Sequence, residues 1–240
     1  YEIDPVWEAG NKNIPGIYIE FKEPWLNPKG FEQIVYDVLA NTQDMNIIEK
    51  PEPEDTPFYI NNGTINVGNT NGKVILQTFS LESLVRVAEV FQGKVPMCFL
   101  LWKGTGATDL TYDDPLGYAS FINLGVKYKA HFIGPCIAGA PNDYPELDQP
   151  WQDYLIHRAK MKNHPYTFDT YDQMAKYFGQ YNFGVADGMF NPPYLDALFT
   201  NHSDMSINYM ITHGWRKSPA SQTLVDAREV LRKLGYLDNN

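Results

Sequence analysis

Glu20 and Lys22 lie two residues apart in the run Gly16-Ile17-Tyr18-Ile19-Glu20-Phe21-Lys22-Glu23-Pro24. The β-branched and aromatic residues around them predict a short strand, and a period of two puts both side chains on one face. A carboxylate and an ammonium are costly to bury side by side unless the pair is used. One use is an anionic substrate held beside a hard cation: Glu20 would ligate the cation and Lys22 would meet the negative charge. The other reading is an ordinary ion pair, buried or at a rim. Gln77, Trp102, Tyr166 and the pair Asp187-Gly188 also fall at the C-terminal ends of predicted strands. Parallel sheets gather binding and catalytic groups at those ends.

The elements that must carry these residues alternate. Strands are predicted over 17–22, 74–79, 96–102, 130–137, 164–168 and 185–190. Helical periodicity follows the first of them at Phe31, Ile34, Val35, Val38 and Leu39, and a helix capped by Ser80 follows the second. Further helices are predicted over 116–124, 150–161, 171–178 and 194–199. Residues 43–72 read as a polar loop insertion with room for a small hairpin between Phe58 and Val67. Six βα units predict an α/β fold with a parallel sheet covered by helices. Neither GxGxxG nor a Walker A run occurs, which disfavours a doubly wound nucleotide binder and favours a (β/α)8 barrel. After the last unit, Ser218-Pro219 predicts the start of an amphipathic helix carrying Leu224, Ala227, Leu231 and Leu234, with Gly235 ending it.

Composition narrows the function classes. The chain has 240 residues, 43% of them hydrophobic, enough for one large core or two modest ones. Its formal net charge of -10, without a Lys/Arg block, argues against nucleic acid as a partner. No apolar run is long enough for a transmembrane helix and no signal peptide is present, but the chain opens on Tyr1 rather than Met, so a fragment or a processed product is expected. Cys98 and Cys136, both in apolar runs, are expected to be buried free thiols. His131 and His164 fall in predicted strands, and His157, His202 and His213 on helices or loops without metal-ligand spacing.

Four segments together resemble the glycerophosphodiester phosphodiesterase family. Tyr18-Ile19-Glu20-Phe21-Lys22 is similar to the family's Glu-x-Lys strand, and Val74 to Ser80 to an apolar strand ending in Gln-Ser-Phe. His164-Pro165-Tyr166-Thr167-Phe168-Asp169 resembles its seventh strand. Gly184 to Pro193 resembles its final Gly-Val-Asp-Gly-Ile-Phe strand, with one residue inserted. The family's opening His-Arg-Gly strand and its Glu-x-Asp pair have no counterpart, and residues 1–10 read as the helix before the third strand. The resemblance therefore implies a TIM-type (β/α)8 barrel lacking its first two βα units over residues 1–203, followed by a helical extension over 204–240. It implies metal-dependent hydrolysis of a glycerophosphodiester to glycerol 3-phosphate and an alcohol, a reaction of lipid metabolism. Glu20 would be a ligand of calcium or magnesium, and Lys22 the catalytic group stabilising charge at phosphorus. Gln77, Trp102 and Tyr166 would bind substrate. The catalytic histidines would lie in the absent first quarter, leaving this chain inactive alone. The resemblance also favours an extracytoplasmic location, periplasmic or secreted, and leaves room for a homo-oligomer.

Two other classes stay open. A glycosidase-like barrel would pair Glu20 with Asp187, with Trp25, Trp102 and Trp151 as sugar platforms. A non-catalytic module would only bind a ligand or a partner chain.

Overall fold

The computed structural model describes residues 17–41, 59–60, 64–65, 74–103, 114–179, 195–213, 231–232 and 235–236. The chain divides into two compact units, Tyr1–His202 and Ser203–Asn240. The predicted strand over 185–190, the Asp187-Gly188 pair, the helix proposed for residues 1–10 and most of the tail helix lie outside the described residues.

The first unit is an α/β fold. It is built on β1 (Ile17–Glu20), β4 (Val74–Thr78), β5 (Met97–Leu101), β6 (Phe132–Pro135) and β7 (Lys162–Asn163), all parallel and neighbours in chain order. β2 (Tyr59–Ile60) and β3 (Thr64–Ile65) form the small antiparallel hairpin expected within the insertion. The crossovers carry α1 (Phe31–Asn41), α2 (Leu81–Phe91), α3 (Pro115–Lys127) and α4 (Pro150–Arg158). Their starts are written in the sequence. The Ser80 hydroxyl caps α2, and Asp114 caps α3 by accepting from the Leu116 and Gly117 amides, each at 2.9 Å. The Gln152 side chain caps α4 by accepting from the Gln149 amide at 2.7 Å, and Pro opens both α3 and α4.

Alternation along the strands separates two faces. Ile19, Phe21, Leu76, Phe99 and Ile133 merge with Leu39, Leu84, Phe91, Phe121 and Ile156 of the helices in one core. The opposite face carries a second cluster, Cys98, Leu100 and Phe132, with Tyr18, Ile75, Phe79 and Tyr166 against it. Gly134 lets this face close: a Cβ there would stand 2.7 Å from Leu100 Cδ2 and 2.9 Å from Cys98 Sγ. Both cysteines are buried and free, as the sequence predicts.

Three expectations are corrected. The short strand expected over 164–168 begins earlier, as β7, and continues irregularly through the His164 and Tyr166 amides, which donate to Ile133 O and Pro135 O. The helix expected over 171–178 is one α-turn, α5 (Tyr171–Met174), running into a π-type turn at Ala175–Gly179. The helix expected over 194–199 is absent over its described residues. Instead Asp196 and Phe199 donate to Asn163 O and Pro165 O, and Phe168 donates to Phe199 O, so the segment lies extended beside β7. In the second unit, α6 (Ser203–Thr212) was not anticipated, and the tail helix is described only at Leu231–Arg232. No helix among the described residues is long and apolar enough to cross a membrane.

Candidate functional site

β1 presents Tyr18 and Glu20 on the face away from the helices, while Phe21 is buried against Phe31 of α1 at 6.0 Å between ring centroids. The strand ends at Glu20, Glu23 turns the chain with a φ of 45°, and Pro24 follows. Lys22 is therefore at the rim. Its side chain is 72% exposed, and its ammonium lies 3.5 Å from Glu20 Oε1. The pair is an exposed-rim contact rather than a buried one, and such pairs contribute about 0–1 kcal/mol.

The neighbouring strand brings Gln77 level with Glu20. Gln77 Nε2 donates to Glu20 Oε2 at 3.2 Å, so the carboxylate accepts on one oxygen while the other faces Lys22. Gln77 Oε1 is buried and has no hydrogen-bond partner among the described residues. An amide oxygen left this way costs about 1–3 kcal/mol, which a ligand donating to it or coordinated by it would relieve.

Glu20, Gln77 and Tyr166 line one cleft of about 240 Å³ at the C-terminal ends of the strands, together with Phe79, Thr200 and Asn201. Tyr166 is held by its hydroxyl, which donates to Leu101 O at 3.0 Å, and Phe79 meets it edge-on at 5.7 Å. Trp102 contacts Phe79 at 6.5 Å and is not among the described lining residues, so it joins the wall only through that ring. The structure thus brings together Glu20, Gln77 and Tyr166, with Lys22 outside the described lining, on the rim beside Glu20, and Trp102 one ring removed. Phe79, Thr200 and Asn201 escaped the sequence reading. Phe79 was in view within the Gln77-Thr78-Phe79 run, whereas Thr200 and Asn201 were hidden by the helix expected just before them.

That wall is anchored from below. Asp196 Oδ1 accepts from the Lys162 ammonium at 2.6 Å, and Oδ2 from the Asn163 amide at 2.9 Å and His157 Nε2 at 2.8 Å. His157 Nδ1 meets Asp153 at 3.1 Å. Burial disfavours charge on His157, but hydrogen bonds to Asp153 and Asp196 outweigh it and raise its pKa to about 10. Burial likewise acts to raise Asp196, and the contacts with His157 and Lys162 overcome it, holding that carboxyl below the usual range. Asp148 and Asp153, linked through Asn163 Nδ2 at 2.8 Å each, are pushed upward by burial. Asp169 fixes the other end of the segment by accepting from the Asn201 amide and side chain, both at 2.9 Å.

His131 and His164 are not among the described residues lining this cleft. His131 is buried, accepts from the Met97 amide at 3.1 Å, and has its pKa lowered to about 4 by burial. His164 stacks on Phe132 at 4.1 Å, contacts the Tyr18 hydroxyl at 3.0 Å, and is lowered by burial to about 4. It lines a second cleft of about 620 Å³ toward the N-terminal ends of the strands.

Glu20 is the only carboxylate among the described residues lining the first cleft, and Gln77 Oε1 adds a second, buried oxygen without a partner among the described residues. Among the described residues, no three His, Cys, Asp or Glu side chains converge as ligands. Two oxygens fit a magnesium or calcium ion that keeps most of its water and takes further ligands from a phosphate, rather than a closed cage. Asp187, the partner a glycosidase would need, lies outside the described residues. No protein-family model matches this chain, and no curated protein matches it.

Proposed function

We propose that the cleft at Glu20 binds a phosphodiester together with a divalent cation, and that the chain is the phosphate-holding part of a glycerophosphodiester phosphodiesterase. The observation carrying this reading is the Gln77 oxygen, buried and without a partner among the described residues, beside a carboxylate that already faces an ammonium. The sheet would belong to a (β/α)8 barrel. Its support is the unbroken sequential strand order, without the reversal that marks a doubly wound sheet.

Glu20 and Gln77 Oε1 would hold the cation, calcium or magnesium, which would polarise the phosphoryl oxygens. Lys22 would meet the negative charge that builds at phosphorus. Phe79 and Tyr166 would receive the glycerol or the leaving alcohol, with Trp102 backing Phe79. Water adds at phosphorus, the bond to the alcohol oxygen breaks, and that oxygen takes the proton the water loses. A general acid and base must move this proton, and no histidine is among the described lining residues. Such groups contribute about 10²–10⁴-fold each, so the chain alone should bind the phosphate and turn over negligibly. The same observation favours a second reading, a module that binds without catalysis.

Titration calorimetry with sn-glycerol 3-phosphate, with and without magnesium, tests the reading. Binding should be strengthened by magnesium and weakened about tenfold or more in Lys22→Ala, the scale of a lost charge-assisted hydrogen bond. Glu20→Gln should abolish the magnesium effect. Binding indifferent to all three would contradict the proposal. Ordinary hydrolysis of glycerophosphocholine by the chain would exclude the second reading and show that the acid and base lie within it.

A further inference from the structure

The second cleft, about 620 Å³ in volume, takes no part in the proposed phosphodiester site. Small-molecule sites span about 300–1,000 Å³ and set a few polar groups in apolar walls. Here Tyr18, Ile75, Phe132 and Leu198 supply the walls, and Lys162 and His164 the polar groups. Those two stand two residues apart on β7 and its continuation, so they share one face, while Asn163 between them turns to Asp148 and Asp153. His164 is only 7% exposed, its Nδ1 meets the Tyr18 hydroxyl at 3.0 Å, and Tyr18 is in turn hydrogen-bonded to the Cys98 thiol. Burial keeps all three neutral near pH 7, lowering His164 to about 4, raising Cys98 to about 12 and raising Tyr18. A phenol is a strong donor and an imidazole nitrogen a strong acceptor, whereas a thiol is weak as either. Tyr18 therefore donates to Nδ1, and the His164 proton sits on Nε2, which no hydrogen bond reaches among the described residues. Lys162 gives one of its three N–H groups to Asp196 Oδ1 and has no other partner among the described residues. Asp196 itself is occupied on both oxygens, Oδ2 accepting from His157 and the Asn163 amide. The unclaimed polar atoms that Lys162 and His164 bring to this cleft are donors.

We propose that this cleft binds a monocarboxylate with a flat aromatic body, the carboxylate bridging Lys162 Nζ and His164 Nε2. Two donors call for an acceptor, and because one of them is an ammonium, an anionic acceptor gains more than a neutral carbonyl. One negative charge fits better than two. Lys162 already shares its charge with Asp196, so a phosphate dianion would meet a half-neutralised cation beside a carboxylate. The walls select the body. Tyr18, Phe132, His164 and Phe199 are all rings, with Phe132 stacked on His164 at 4.1 Å and Phe199 edge-on to Tyr18 at 4.8 Å. A planar ring extends such a cluster by stacking or edge contact.

Titration calorimetry of the full chain with 1-naphthoate tests the proposal, with the neutral isostere 1-naphthamide as the comparison. It needs neither magnesium nor phosphate, so it succeeds or fails apart from the phosphodiester reading. Naphthoate should bind at one site whether or not magnesium is present. Naphthamide should bind about tenfold or more weakly, the scale of a lost charge-assisted hydrogen bond. Lys162→Met should weaken naphthoate by a similar factor and leave naphthamide unchanged. Ala197→Trp, which fills the cleft from an exposed position in its lining, should abolish binding of both. Lys162 also holds Asp196, so a backbone amide NMR titration of the wild-type chain supplies a readout free of any variant. Naphthoate should shift the amides of Tyr18, Ile75, Phe132 and His164. No saturable binding at millimolar naphthoate, naphthamide binding as tightly, or shifts confined to Glu20, Gln77 and Tyr166 would overturn the proposal. So would 1-naphthyl phosphate binding more tightly than naphthoate, which would assign the cleft to phosphate esters.

Discussion

At the scale of single residues, Lys22 has little part in stability, which leaves it free for the binding role proposed for it. An ammonium 72% exposed and 3.5 Å from its carboxylate is screened by water, so removing it removes little folding energy. Lys22→Ala is expected to change the urea-denaturation free energy by less than about 0.5 kcal/mol while weakening phosphate binding. A loss above about 2 kcal/mol would make the pair structural. The cysteines give a second check. Burial raises the thiol pKa of Cys98 and of Cys136 to about 12, and both side chains are buried. Almost no thiolate exists at pH 8, so an aromatic disulfide reagent should label them only on unfolding. Rapid labelling of the native chain would show one of them to be open.

At the scale of elements, the charged clamp on the extended segment predicts a pH dependence. His157 titrates near pH 10 when folded against an ordinary 6.5, so its contribution is complete below pH 6.5 and is lost as pH rises through 10. Asp196, held low, contributes above its ordinary 3.8 and is lost on acidification. Asp148 and Asp153, held high, oppose this by costing stability as pH climbs past 3.8. Between pH 7 and 10 the His157 contribution is progressively lost. Stability by urea denaturation should fall across that window by at most a few kcal/mol, roughly, and Asp196→Asn should flatten the slope. An unchanged slope in that variant would show that the clamp does not hold the segment. Gly134→Ala should cost about 1–3 kcal/mol, because its Cβ would meet Leu100 and Cys98 inside contact distance. A neutral result by the same measurement would show that this face can give.

The same elements explain what was legible in the sequence. Alternation placed Glu20 and Gln77, since a strand's period leaves little choice of face once Ile19 and Leu76 are committed to the core. The capping residue Ser80 marked α2. Residues Leu195 to Phe199 misled because their apolar spacing suits a helix, and what extends them is not local. The carbonyls of Asn163 and Pro165 need partners, and the Asp196 carboxylate is claimed by His157 and Lys162. Thr200 and Asn201 could be found only after that pairing was known. Trp102 looked like a lining residue because it ends a strand, yet Phe79 stands between it and the cleft residues that Phe79 joins.

At the scale of the whole molecule, a net charge of -10 repels the anion the cleft is proposed to hold. Screening acts on that long-range repulsion more than on a contact at Lys22, because the Debye length falls from about 30 Å at 0.01 M salt to about 8 Å at 0.15 M. Affinity for glycerol 3-phosphate should therefore hold or rise over that range, as read by calorimetry. A steep fall would mean that a wider basic surface binds it. The most direct test of the central claim is a backbone amide NMR titration of the chain with sn-glycerol 3-phosphate in the presence of magnesium. The predicted shifts concentrate at Glu20, Lys22, Gln77, Tyr166, Thr200 and Asn201. Shifts confined to the second cleft around Tyr18, Phe132 and His164, or no saturable shifts at all, would contradict it.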